Sequence, residues 1–170
     1  MTGRAPAAML AAAALFGCNA EPQAAAVPAA APESASPAGA PSGLPLIPLQ
    51  IRSGGRTHNF TVEVAQTPEE QAQGLMFRKR VGAEEGMLFP FNPPKAASFW
   101  MKNTLIPLDL IFIGKDGSIE SIGANAVSRS LESIKSRGAV VAVLELAGGR
   151  AAQLGLKAGD RVVWTGGPQP

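Results

Sequence analysis

Apolar and polar side chains alternate through Phe60, Thr61, Val62, Glu63 and Val64, the period of two that marks a strand with one buried face. The pattern predicts a strand over 57–65. Ser53-Gly54-Gly55-Arg56 just before it predicts a tight turn back to a strand over 48–52. The period then breaks. Thr67-Pro68-Glu69-Glu70 sets an N-cap, a proline at the first helical position and a capping-box glutamate in order, and Gly74 closes a short helix. Further apolar runs predict strands at 86–91, 97–102, 108–114, 118–125, 140–146 and 161–164, with Asp116-Gly117 as a strong two-strand turn. A short helix over 151–156 lies between Gly148-Gly149 and Gly159-Asp160. Many short strands with brief helices predict an α+β fold, predominantly β: a small barrel-like β domain with short helices.

Before residue 49 no such pattern exists. Arg4 followed by an apolar run over 7–16 reads as a secretory signal, too short to span a bilayer. Leu15-Phe16-Gly17-Cys18 resembles a bacterial lipobox, with a small residue before an acylated cysteine. Residues 18–48 are mostly Ala, Pro, Ser, Gly and Gln, with only Glu21 and Glu33 charged, and hold about half of the 15 prolines. Such a segment buries too little surface to offset its ordering entropy and is expected to be a disordered tether. Fully extended, it would reach roughly 90 Å. The expected organisation is therefore a signal peptide with lipobox over 1–17, a tether over 18–48, one β-rich domain over 49–166 and a tail over 167–170. With acylation at Cys18, the protein is expected to be exported and anchored by lipid in the cell envelope, on the outer membrane facing the periplasm.

Composition narrows the functional classes. Of 170 residues, 16% are charged, against about 25% in an average soluble domain. The net charge of +2 gives no reason to expect a nucleic-acid partner. One His and one Cys exclude a zinc ribbon, a disulfide framework and a Cys-rich redox centre. No phosphate loop or dinucleotide fingerprint exists, and no cofactor is expected.

Unusual groupings crowd the domain: Gly74-Leu75-Met76-Phe77-Arg78, Gly86-Met87-Leu88-Phe89, Phe99-Trp100-Met101-Lys102-Asn103-Thr104, Pro107-Leu108-Asp109-Leu110-Ile111-Phe112, Leu144-Glu145-Leu146-Ala147-Gly148-Gly149 and Gly159-Asp160-Arg161-Val162. Taken in order, these blocks resemble the bacterial and archaeal family known as domain of unknown function 192. The resemblance implies a compact β-rich domain, often exported, and supplies no activity and no residue roles.

The residues themselves offer three kinds of chemistry. A strand through 99–103 would send Phe99, Met101 and Asn103 to one face and Trp100 and Lys102 to the other. Trp100 then either closes the barrel core, the weightier reading, or forms an aromatic platform with Lys102 and Asn103 for a small ligand, glycan or peptide. Arg78 and Asp109 would give polar support. Asp109 and Glu145 are each flanked by leucines, and alternation puts them ordinarily in solvent. Converging instead in a pocket, they would be the paired carboxylates of a hydrolase-type enzyme. Met76, Met87 and Met101, with His58 as a nitrogen donor, would suit a soft cation such as copper or silver, although methionines more often fill core gaps. The leading expectation is a binding or accessory module of the envelope, with a glycan, peptide or protein partner.

Overall fold

The computed structural model describes residues 42–168. Seven strands and two short helices follow one another as β1 (Leu46–Ser53), β2 (Arg56–Val64), α1 (Pro68–Gln73), β3 (Glu85–Phe99), β4 (Leu108–Ile113), β5 (Ile119–Ala126), β6 (Ile134–Ala147), α2 (Arg150–Leu154) and β7 (Arg161–Trp164). They make one sheet in the order β5-β4-β6-β3-β2-β1-β7, curled into a half-barrel. At one end its edges meet. Ser118 bridges Arg161, and Ile119 N–H donates to the Asp160 carbonyl at 2.8 Å.

Local sequence accounts for the turns. β1 and β2 pair from Leu46↔Glu63 to Ser53↔Arg56, and Gly54 and Gly55 take φ of 55° and 77°, which a tight two-residue hairpin requires. The expected capping box is present, with Glu70 N–H on Thr67 Oγ1 and Thr67 N–H on Glu70 Oε2. The helix carries the chain across so that β3 pairs parallel to β2 over Glu85–Leu88.

Three findings differ from the sequence reading. β6 begins at Ile134, six residues before the run expected at 140–146. The runs at 86–91 and 97–102 belong to one strand, Glu85–Phe99, whose register on β6 slips between Pro90 and Lys95. That strand ends at Phe99, and Asn103 turns the chain with φ 58°. β1 also begins at Leu46, so the last residues assigned to the tether already lie in the sheet.

The sheet is packed on both faces. All seven strands give side chains to the barrel interior, among them Ile51, Val62, Leu88, Ile111, Leu144 and Val162, with Ala151 of α2 covering one end. On the outer face, Met87, Phe89, Leu110, Phe112 and Val143 of the central strands pack under Leu75 and Met101 from the segments after α1 and β3. β4 is consequently buried at every position. Gly86 leaves no room for a side chain between β3 and β6: a Cβ there would sit 2.4 Å from the Glu145 carbonyl oxygen.

Candidate functional site

The parallel β2–β3 register and the antiparallel β3–β6 and β6–β4 registers place Glu63, Met87, Glu145 and Leu110 side by side on the outer face. Cross-strand neighbours share a face, so two carboxylates two strands apart, about 10 Å, flank Met87. Neither is solvated: Glu63 is 4% and Glu145 5% exposed.

Their partners differ. The Arg78 guanidinium reaches Glu63 with both terminal nitrogens, Nη2 to Oε2 at 2.7 Å and Nη1 to Oε1, and the Ser42 hydroxyl donates to the same carboxylate. A two-pronged pair of this kind satisfies a buried charge on both sides. Glu145 has no such arrangement. Among the described residues no donor is hydrogen-bonded to its carboxyl and no cation pairs with it. Burial pushes it from the ordinary 4.5 up to about 8, although the nearby positive charge of Arg78 pulls the other way.

Glu145 opens into a cavity of about 550 Å³ on the outer face. Gln71, Gly74 and Met76 from α1 and the segment after it line the cavity, together with Phe89, Phe91 and residues 95–100. Phe99 meets Phe89 edge to face at 5.2 Å. The result is a mixed hollow, in which Phe89, Phe91, Phe99 and Trp100 stand beside Gln71, Lys95, Ser98 and Thr104, and which holds one acid without a partner. That combination suits a ligand with an apolar body and one donor group. A second hollow of about 860 Å³, beside Pro93, Pro94 and Trp164, is lined by no acid.

The other predicted residues fall in several places. Trp100 does not close the core: it is 51% exposed, lines the cavity, and carries the Lys102 ammonium 5.1 Å above its ring. Asn103 is exposed on the turn, its amide directed to the Met76 sulfur. Asp109 is neither solvated nor beside Arg78. It pairs in register with Leu146, an interior residue, so it faces the barrel interior while Glu145 faces outward. The two carboxylates therefore do not converge, which removes the geometry that a paired-carboxylate hydrolase needs. Asp109 instead accepts three backbone N–H groups, from Asn125 at 2.6 Å, Gly149 at 3.0 Å and Ala151 at 2.7 Å. Helix α2 starts at Gly149 and has no side-chain cap of its own, so β4 supplies it.

Met87 and Met101 are packed in the outer core and Met76 lines the cavity, whereas His58, two residues from Phe60 and paired in register with Ile51, shares their interior face. The three sulfurs thus lie on the side of the sheet opposite the imidazole. Among the described residues no three His, Cys, Asp or Glu side chains gather as a metal site. Cys18 lies outside the described residues. None of the helices described is long and apolar enough to cross a membrane.

Glu63 is the site residue that sequence reasoning missed. Alternation assigned it to solvent opposite Val62 and Val64, and nothing in its spacing indicates that 75–81 folds back to deliver Arg78.

Glu145 carries a pH signature. The folded chain holds a proton there that the unfolded chain releases above about 4.5. The resulting stability is fully present below that value, declines as pH rises toward 8, and levels off beyond. On the order of a few kcal/mol is expected over the window. Thermal unfolding should show wild-type Tm falling from pH 5 to pH 8 more steeply than that of Glu145→Gln. Parallel curves would mean that the carboxyl titrates normally.

A curled-sheet β domain with a buried acid under a partly aromatic hollow defines the structural class. Against known proteins, the DUF192 family model, described as "Uncharacterized ACR", matches residues 49–164. The chain belongs to that family. Among solved structures, a protein of unknown function from Novosphingobium aromaticivorans DSM 12444 is 50% identical with a TM-score of 0.73, covering 78% of this chain and 95% of that one. A protein from Sinorhizobium meliloti 1021, described as a candidate transcription regulator, is 42% identical with a TM-score of 0.71, covering 72% and 96%. No protein of curated function matches.

Proposed function

We propose that the domain is a binding module whose cavity takes a small ligand or a peptide end with an amine or amide donor next to an apolar group. The observation that carries this reading is Glu145, which lines the cavity, is 5% exposed and has no hydrogen-bond donor among the described residues. A buried acid in that state is costly, and a donor arriving with a ligand removes the cost. Phe89, Phe91 and the half-exposed Trp100 supply the apolar contact. An ammonium or guanidinium would also favour the ionised carboxyl, so binding would draw the proton from Glu145.

The test is thermal unfolding of the full chain against aromatic amines, amino sugars and short peptides with free N-termini. A ligand at about 100 times its Kd adds roughly 2.7 kcal/mol. The expected result is a rise in Tm with amine-bearing apolar compounds that is lost in Glu145→Gln and weakened in Trp100→Ala. A rise of equal size in Glu145→Gln would contradict the reading.

We also propose that the chain is exported and lipid-anchored through Cys18 at the outer membrane, on the strength of the leader and lipobox pattern. Cys18→Ser should then release the protein from cell membranes washed at high salt into the soluble envelope fraction; unchanged retention after the wash would count against it.

A further inference from the structure

Three loops of the outer face are laced together by backbone hydrogen bonds. Phe77 N–H donates to the Asn103 carbonyl at 2.9 Å, Met101 N–H to Ser130 at 2.9 Å, and Arg129 N–H to Thr104 at 3.1 Å. These loops carry four of the five large apolar side chains that the described residues expose: Phe77 at 64%, Trp100 at 51%, Val127 at 72% and Leu131 at 68%. Lys79, Arg80, Lys102 and Arg129 are exposed beside them. Across 75–81, 100–107 and 127–132, Glu132 is the sole acid, so with Arg78 committed to Glu63 these tips carry four positive charges against one negative.

The backbone adds an independent sign. Phe77, Asn103 and Arg129 all take left-handed φ, of 64°, 58° and 62°. Asparagine tolerates that region, whereas an aromatic residue does so at a steric cost. Core packing does not repay the cost at Phe77, because its ring lies outward while Leu75 and Arg78 on either side are turned inward. Strain that presents an exposed aromatic is a mark of a functional surface.

We infer that these loop tips are a docking surface for an anionic membrane. Scattered aromatic and aliphatic tips among lysines and arginines fit the interface of a bilayer, where rings enter the headgroup boundary and cations meet negative lipids. A protein groove would demand a continuous complementary face. A soluble polyanion would use the charges and leave the four apolar tips idle. The inference stands apart from the cavity reading, since Phe77, Val127 and Leu131 do not line the cavity.

The test uses the full chain carrying Cys18→Ser, so that no acyl chain contributes, with vesicles of brominated phosphatidylcholine with and without phosphatidylglycerol. Bromine quenches tryptophan at close range, and with Trp164 only 8% exposed the signal reports Trp100 on the domain itself. Quenching is expected with the anionic vesicles and should decline with added salt. Phe77→Asn with Leu131→Ser should weaken domain docking about tenfold, and Asn suits the backbone at 77, so the variant folds. Lys79→Ala with Arg80→Ala should weaken it roughly 30-fold, at about fivefold per cation. Absence of quenching, or quenching that is equal in both variants and wild type, overturns the inference. So does binding that soluble heparin abolishes but the Phe77/Leu131 variant leaves unchanged, which would assign the surface to a polyanion.

Discussion

Asp109→Ala is expected to destabilise the domain by about 4 kcal/mol, a large share of the 5–15 kcal/mol that ordinarily holds a domain together. The side chain is wholly buried and accepts three backbone N–H groups from the end of β5 and the start of α2. Alanine orphans all three. The bond to Ala151 N–H is fully buried and has no replacement, while water can reach the other two, whose surroundings are partly exposed. Charge-assisted bonds of this type are each worth about 1.5–3 kcal/mol. Asp109→Asn should cost about half as much, since its amide oxygen can keep the Asn125 and Gly149 bonds while its NH2 faces Ala151 N–H. Urea unfolding checks both. With a slope near 1.5 kcal/mol per molar, the alanine variant should lose more than 2 M of midpoint. A loss below 0.5 M would mean that Asp109 is not the cap of α2.

Arg78→Met should cost about 3–5 kcal/mol. Removing one partner of a buried pair strands the other, and Glu63, 4% exposed, would keep only the Ser42 hydroxyl. The double change Arg78→Met with Glu63→Leu should recover most of the loss, because both charges then leave together. A cycle of the two single variants and the double isolates the coupling. Additive single effects would show that the pair contributes nothing beyond its separate packing.

These two residues also show where sequence legibility ends. The strand pattern at 57–65, the capping box at Thr67–Glu70 and the Asp116-Gly117 turn rest on local chemistry, and the structure has each of them. Alternation places Asp109 and Glu63 in solvent because it assumes that one face of a sheet meets water. Here the central strands are covered on both sides, so polar positions in an alternating run are buried too. Which partner each acid finds depends on contacts far along the chain: Asp109 with Ala151, Glu63 with Arg78. No spacing rule encodes those. The exposure of Trp100 is hidden for a related reason, since the apolar run 97–102 conceals the end of β3 at Phe99 and the turn set by Asn103. Residues grouped in the sequence as one ligand site therefore divide between faces, Trp100, Lys102, Asn103 and Arg78 outside and Asp109 within.

The cavity account depends most on the state of one carboxyl. Carbon-13 NMR of the full chain labelled at glutamate side-chain carboxyls, assigned by Glu145→Gln, follows that group directly through pH. Without ligand it should titrate at about 8, and an aromatic amine that occupies the cavity should lower that value while shifting the Trp100 indole resonance. A Glu145 carboxyl that titrates near 4.5, indifferent to amines, would contradict the account.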